Sequence, residues 1–293
     1  MISILIPTYN YKVDALVTAL CDEAETMDQK FEILVFDDGS TTVFSENEAI
    51  NEQPYATYKY FETNQGRGAI RQKLADAATY DLLLFLDADV LPVSPNFLKK
   101  YQSQLQQSNE VICGGVSYQD NTDSSKQLRY VYGKKREAKK ATIRQKEPFI
   151  IVTANLLIEK STFFAANIEL DNRYGEDLLL SQQLKLQNAS VLHIDNPVWH
   201  LGLESSADYI AKSEEALRNM VFWEKEGKLK PGFTSLQRAY NRMKQWGMLS
   251  IFRWVVGLLN KLGLKSNLTS KNPSLFWFDT YRLHYYSKLK KHA

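Results

Sequence analysis

Cysteine is scarce in this sequence, and no long uncharged apolar run occurs. Only Cys21 and Cys113 are found in 293 residues, each within or beside an apolar segment and without the spacing of a metal-binding pair. A disulfide framework and a cysteine-ligated zinc site are therefore not expected, and reduced core thiols are. The apolar run nearest to a membrane span, Met248 to Leu259, is short and carries Arg253, whereas a spanning helix needs about 18 or more such residues. The opening MISILIPTYN has no basic n-region and no long apolar core, so a cytoplasmic protein without a leader is expected. Internal repeats and low-complexity tracts are absent, as is a glycine-rich, lysine-bearing opening loop for gripping a triphosphate.

Apolar residues make up 44% and charged residues 24%, ordinary for a folded chain with a full core. The net charge of +2 joins two unlike parts. From Lys212 onward there are 16 Lys+Arg against 5 Asp+Glu, which leaves 20 against 29 before it. This asymmetry predicts a domain over residues 1–205 and a basic, aromatic, helical extension over 206–293.

Short apolar runs recur at Ile2–Ile6, Ile33–Phe36, Leu82–Leu86, Val111–Cys113, Ile150–Ile158 and Val191–Ile194. Continuous rather than alternating apolar character predicts strands covered on both faces. Helical periodicity over Val13–Asp28 and Gly68–Ala78 supplies crossovers, and the pattern predicts a doubly wound α/β sheet. Ligands of such sheets sit beyond the carboxyl ends of the strands. There the chain places PTYN (7–10), DDGS (37–40) and DAD (87–89), although turns favour the same residue types. The stretch 118–146 is too long and too charged for a routine connector, and predicts a loop or short helix beside the site.

Asp87 and Asp89, two residues apart at a strand end, suit Mg²⁺ or Mn²⁺ carrying a diphosphate; a strand-end turn is the plainer alternative. Arg67 and Arg71 open a helix after NQG, where arginine forks and the helix N-terminus favour phosphate, unless they are only solvated. Glu176 and Asp177 stand at the mouth of another helix. One of them is a candidate ionised general base, or both stabilise the helix end. His200, in NPVWHLG, either completes a metal shell, touches a phosphate or is structural.

In order and separation, ISILIPTYN, LVFDDGS, NQGRGAIRQ, LLLFLDADV and RYGEDLLLSQQL resemble the family 2 glycosyltransferases of the GT-A fold, over about residues 1–205. The resemblance implies a nucleotide-sugar-dependent, inverting transferase with a Rossmann-like, mostly parallel sheet and a metal-binding Asp-x-Asp. It implies that Pro7, Thr8 and Tyr9 line the base and ribose pocket, that Asp38 reads the base, with uridine favoured, and that Arg71 helps hold the nucleotide. Asp87 would lie near the ribose and metal, Asp89 would ligate Mn²⁺ or Mg²⁺, and His200 would join them. Asp177 would be the catalytic base, with Glu176 assisting the acceptor, a glycan or lipid-linked glycan. AIRQ stands where many members carry Ala-Arg-Asn, and ANIELDNRYGED replaces their usual run before the base helix. The acceptor side is therefore less well inherited than the donor side.

In the extension, GMLSIFRWVVGLLNKLGLK (247–265) sets an apolar surface between basic flanks. Two readings stay open: a helix lying on an anionic membrane, or a helical subdomain with its aromatics packed inside. No nucleic-acid-binding motif is present, and the acidic first part argues against such a partner. A lipid-phosphate acceptor and a nucleotide-binding scaffold without turnover are the alternative functions.

Overall fold

The computed structural model describes residues 1–293 except 28–29, 43, 121–122, 169–171 and 293. It comprises two compact units: Met1–Gln119 with Arg136–Gly202, and Asp120–Lys135 with Leu203–Ala293. Charge alone did not signal that 120–135 would group with the extension.

The strands of the first unit are β1 (Ile2–Thr8), β2 (Phe31–Asp37), β3 (Ala56–Tyr60), β4 (Leu82–Leu86), β5 (Val90–Pro92), β6 (Val111–Cys113), β7 (Val116–Ser117), β8 (Asn155–Glu159), β9 (Val191–His193) and β10 (Val198–His200). Seven form a sheet in the order β3-β2-β1-β4-β8-β6-β9. The pairings β1 with β2 and β4, β2 with β3, and β6 with β9 are parallel, whereas β8 runs antiparallel to β4 and β6. The sheet is thus mostly parallel and flanked by helices, as the apolar runs predicted.

Side chains alternate across a strand, so a continuous apolar run feeds two cores. Leu5, Leu83, Phe85, Leu156 and Ile158 share one core with Ile70 and Leu74 of the helix Arg67–Ala77, and with Leu180 and Leu184 of the helix Asp177–Leu186. Ile4, Ile6, Leu84 and Leu86 alternate with the sheet residues of that core and are fully buried as well. Each such leucine contributes about 2 kcal/mol by leaving water.

One local expectation is corrected, and two features had not been expected. The strand expected at Ile150–Ile158 begins only at Asn155; Ile150 and Val152 are exposed, and the backbone before β8 turns aside at Thr153 to reach Asp177. Edge strand β3 was not foreseen, because ATYKY is only partly covered and carries no apolar run. A second sheet, β5-β10-β7, also escaped detection, its strands being two or three residues long. The stretch 118–146 folds in part as short helical pieces, including Gln127–Tyr132 and Ala141–Arg144.

The second unit is helical, with long helices at Ser206–Lys225, Ser235–Gln245, Leu249–Lys261 and Leu275–His292. Leu128, Ile210, Val256, Leu268, Phe278 and Tyr281 form its core. Thr234 and Gln237 make a reciprocal capping box at the start of Ser235–Gln245, satisfying two otherwise orphaned backbone donors. The carboxylate of Glu224 is held by Lys290 at 2.6 Å, the Tyr286 hydroxyl at 2.6 Å and the amide of Gln237. The apolar stretch 247–265 is not one helix: Gly263, at φ 101°, adopts a left-handed conformation that ends one helix before Leu264–Leu268 begins. Among the described residues no helix is long and apolar enough to cross a membrane.

Candidate active site

Parallel strands β1, β2 and β4 end side by side, so the segments that follow them share one edge of the sheet. After β1, the backbone carbonyl of Thr8 accepts from Asp38 N–H at 2.9 Å, tying the first two segments together. Thr8 is buried, Pro7 half-buried and Tyr9 exposed. Asn10 reinforces the tie: its side-chain oxygen accepts from Thr41 and Thr42 N–H at 2.8 and 3.0 Å.

After β2 the two aspartates divide their work. Asp37 accepts from Ser40 N–H and the Tyr58 hydroxyl, both at 2.8 Å. Asp38 accepts from the backbone N–H groups of Gln65 and Gly66, one on each oxygen at 2.8 Å, and burial raises its pKa despite those bonds. In this geometry Asp38 shapes the loop that leads into the helix Arg67–Ala77.

Arg71, one turn into that helix, is 4% exposed and gathers three carboxylates. Its guanidinium meets Asp87 at 3.0 Å, Glu176 at 2.9 Å and Asp177 at 3.3 Å. Burial opposes its charge, but the carboxylates of Asp177, Asp87 and Glu176 outweigh that and hold its pKa above the ordinary value. Arg67 lies over the ring of Tyr174, 5.4 Å from its centroid. There too desolvation is outweighed by carboxylates, Asp87 foremost, and the pKa is raised.

Glu176 and Asp177 start the helix Asp177–Leu186, yet the Glu176 side chain makes no capping bond. Glu176 is buried, and the desolvation raises its pKa although Arg71 pulls the other way. Asp177 keeps a third of its side chain in solvent and accepts from the Thr153 hydroxyl at 3.1 Å. Of the two, Asp177 is the more accessible.

Asp89 and His200 meet through the small sheet, since Val90 of β5 pairs with His200 of β10. The Asp89 carboxylate is 3.8 Å from His200 Nε2. Burial raises the pKa of Asp89, His200 opposes the rise and Asp87 adds to it. The His200 ring stacks on Tyr118, and its Nδ1 is buried without a partner. Gly202 is needed at this point, because a Cβ there would come within 1.9 Å of Asp89 Oδ2.

Asp87, Asp89, Glu176 and Asp177 thus set four carboxylates against the two guanidiniums of Arg67 and Arg71, a negative surplus that a divalent cation would neutralise. Carboxylate oxygen suits Mg²⁺ or Mn²⁺, while an imidazole nitrogen beside it suits a transition ion better than Mg²⁺ and so favours Mn²⁺ of the two; one ion with bonds of about 2.1 Å could touch both Asp89 and His200. Among the described residues no three His, Cys, Asp or Glu side chains gather closely enough to hold a metal by themselves. Diphosphate oxygens and water would complete such a shell. Thr153, Tyr174 and Asp37 had not been singled out as site residues. Thr153 lies in a turn with no motif to mark it, whereas Tyr174 lies within RYGEDLLLSQQL, where the two acids drew the attention.

Elsewhere in this unit Arg144 donates to the carbonyls of Cys113, Gly114 and Ile194 and contacts His193 Nδ1 at 2.7 Å. It borders a cavity of about 130 Å³ whose wall includes Arg136, Lys139, Ile143, Val152 and Asn155. His193 is a strand residue turned to Arg144 and the Pro148 carbonyl.

Comparison with known proteins gives the family and the fold. A curated protein of Rickettsia felis described as an uncharacterized glycosyltransferase is 28% identical over 131 residues, 45% of this chain and 21% of its own length. The Bacillus subtilis glycosyltransferase YfnE, likewise described as uncharacterized, is 27% identical over 113 residues, 38% of this chain and 29% of its own. These matches therefore take in less than a third of each relative. The mannosyltransferase PcManGT from Pyrobaculum calidifontis, solved with GDP-Man and Mn²⁺, superposes with a TM-score of 0.57 at 13% identity, covering 98% of this chain and 86% of that one. Glucosyl-3-phosphoglycerate synthase from Mycobacterium tuberculosis, solved with phosphoglyceric acid, gives 0.50 at 16% identity, covering 74% and 78%. At these identities the likeness establishes the fold, which is GT-A. The Glycosyl transferase family 2 profile matches residues 3–163, more than half of the sequence, and the chain belongs to that family.

Proposed function

We propose that the protein transfers a sugar from a nucleotide-sugar, with a UDP-sugar favoured, to a hydroxyl of a glycan or lipid-linked glycan, with inversion at the anomeric carbon. The observation that carries this reading is the carboxylate cluster on Arg71, in which Asp177 is the most exposed member, at 33% against 26% for Asp87 and 8% for Glu176. Asp177 takes the proton of the acceptor hydroxyl as that oxygen bonds to the anomeric carbon and the bond to the diphosphate breaks. The Thr153 hydroxyl and Arg71 hold its carboxylate in position. Glu176, buried on Arg71, steadies that arginine and the acceptor side.

The nucleotide would lie on the segments after β1 and β2, against Pro7, Thr8 and Tyr9, with Asp38 and Arg71 shaping the pocket and Asp87 near the ribose. Asp89 and His200 would hold Mn²⁺ or Mg²⁺, which supplies charge stabilisation to the departing diphosphate. Arg67 is placed to add to it. For the acceptor we favour the cavity bordered by Arg136, Lys139 and Val152, because Val152 adjoins Thr153 and thereby the Asp177 carboxylate. Cytoplasmic placement, against a membrane when the acceptor is lipid-linked, goes with this reading.

A thermal-shift panel of UDP, GDP, CDP and dTDP with and without Mn²⁺, on the wild type and Asp89→Ala, tests the donor half. One nucleotide should stabilise the wild type only with metal, and Asp89→Ala should lose that shift. Stabilisation by no nucleotide would overturn the donor site and move the reading to a scaffold that docks partners without binding a nucleotide.

A further inference from the structure

In the second unit the helix Leu249–Lys261 turns Phe252, Val256 and Leu259 toward the core. Its other side is also apolar. Ile251, Trp254, Val255 and Leu258 recur at helical spacing and are 66%, 72%, 40% and 47% exposed. Leu262 extends the stripe at 74%, and Trp246, in the turn before the helix, is 69% exposed. A contiguous row of this kind, with two tryptophans in it, marks an interaction surface rather than a scattering of solvent-facing leucines.

Its chemical setting names the occupant. Between Glu226 and Asp279 the sequence has nine Lys and Arg and no Asp or Glu. Arg242, Lys244 and Lys261, at the two ends of the stripe, are exposed. A second copy of the same face would set like charges against each other, and an ordinary protein partner would need a matching acidic rim around an apolar strip. A bilayer with anionic headgroups offers both: hydrocarbon at the headgroup boundary for tryptophan and leucine, and phosphate for lysine and arginine. Because no described helix can cross the membrane, the contact is a surface one.

We propose that the outer face of Leu249–Lys261, from Trp246 to Leu262, lies on anionic phospholipid membranes. This inference stands on the second unit alone and does not depend on the transferase reading.

The test is sedimentation of the full chain with vesicles of phosphatidylcholine, pure or mixed with phosphatidylglycerol, at low and high salt. The double variant Ile251→Ser with Trp254→Ser removes apolar contact at two exposed positions, and Lys244→Glu with Lys261→Glu reverses charge. Far-ultraviolet circular dichroism and the melting temperature verify that each remains folded. The wild type is expected to sediment with the anionic vesicles, less at high salt, and each double variant to bind at least about tenfold more weakly. Three results would each overturn the proposal: no sedimentation of the wild type with anionic vesicles at low salt, undiminished binding by both folded variants, or a dimer that the serine variant dissociates.

Discussion

At the sheet edge of the first unit, Arg71 is withdrawn from water and met by Asp87, Glu176 and Asp177, while in the second unit Trp254 and Leu262 are apolar and left in water. The first arrangement compensates an expensive burial locally, and what remains uncompensated there is a surplus of carboxylate. The second leaves its surplus, apolar area and positive charge, on the outside. Each surplus is what a proposal rests on: a cation with its diphosphate is proposed for the first, a lipid surface for the second. Two tryptophans of the second unit make the same contrast within one helical fold, since Trp223 is fully buried and Trp254 is 72% exposed.

The largest expected effect breaks the first arrangement at its chemistry. Asp177→Asn should lower hydroxyl transfer by about 10²- to 10⁴-fold while nucleotide binding, read by calorimetry, stays near wild type. Unchanged turnover would remove Asp177 from the base role. Arg71→Met leaves the buried Glu176 carboxylate without its partner and should cost about 3–5 kcal/mol in chemical denaturation. Adding Glu176→Gln should recover part of that loss, because the two side chains share one interaction.

The tryptophans sharpen the comparison next. Trp223→Ala should destabilise by about 3–5 kcal/mol, whereas Trp254→Ala should stay within about 0.5 kcal/mol in the absence of membranes. Equal losses would mean that Trp254 is packed in solution. Gly202→Ala displaces the Asp89 carboxylate and should weaken metal-dependent nucleotide binding, leaving metal-free binding much less changed. A modest effect is expected of Gly263→Ala, which imposes a left-handed conformation on an L side chain at a cost of about 1 kcal/mol, visible as a small drop in melting temperature.

Legibility in the sequence followed burial. Runs such as LLLFL have one stable environment, a strand covered on both faces, and they were read correctly. ATYKY lies at the sheet edge, where half-exposed positions accept threonine, lysine and tyrosine, and it carried no such mark. The apolar residues at 150–152 misled for the opposite reason: they resemble a strand, but the turn that carries Thr153 to Asp177 takes them out of the ladder. At the site, Asp87, Asp89, Arg71, Glu176, Asp177 and His200 could be selected as chemically able residues. Their pairing could not, since Arg71 and Glu176 are 105 positions apart and meet only when the sheet is assembled.

The sequence by itself determined the parallel core strands, the polar character of their ends and the change from an acidic to a basic chain, because each of these follows from local composition and period. Tertiary structure decided which carboxylates Arg71 would hold, that Asp89 would meet His200 where two neighbouring strands of the small sheet pair, and which side of Leu249–Lys261 would stay uncovered. Those outcomes depend on elements far apart in the chain competing for the same buried space and the same charges, and no local pattern encodes the result of that competition.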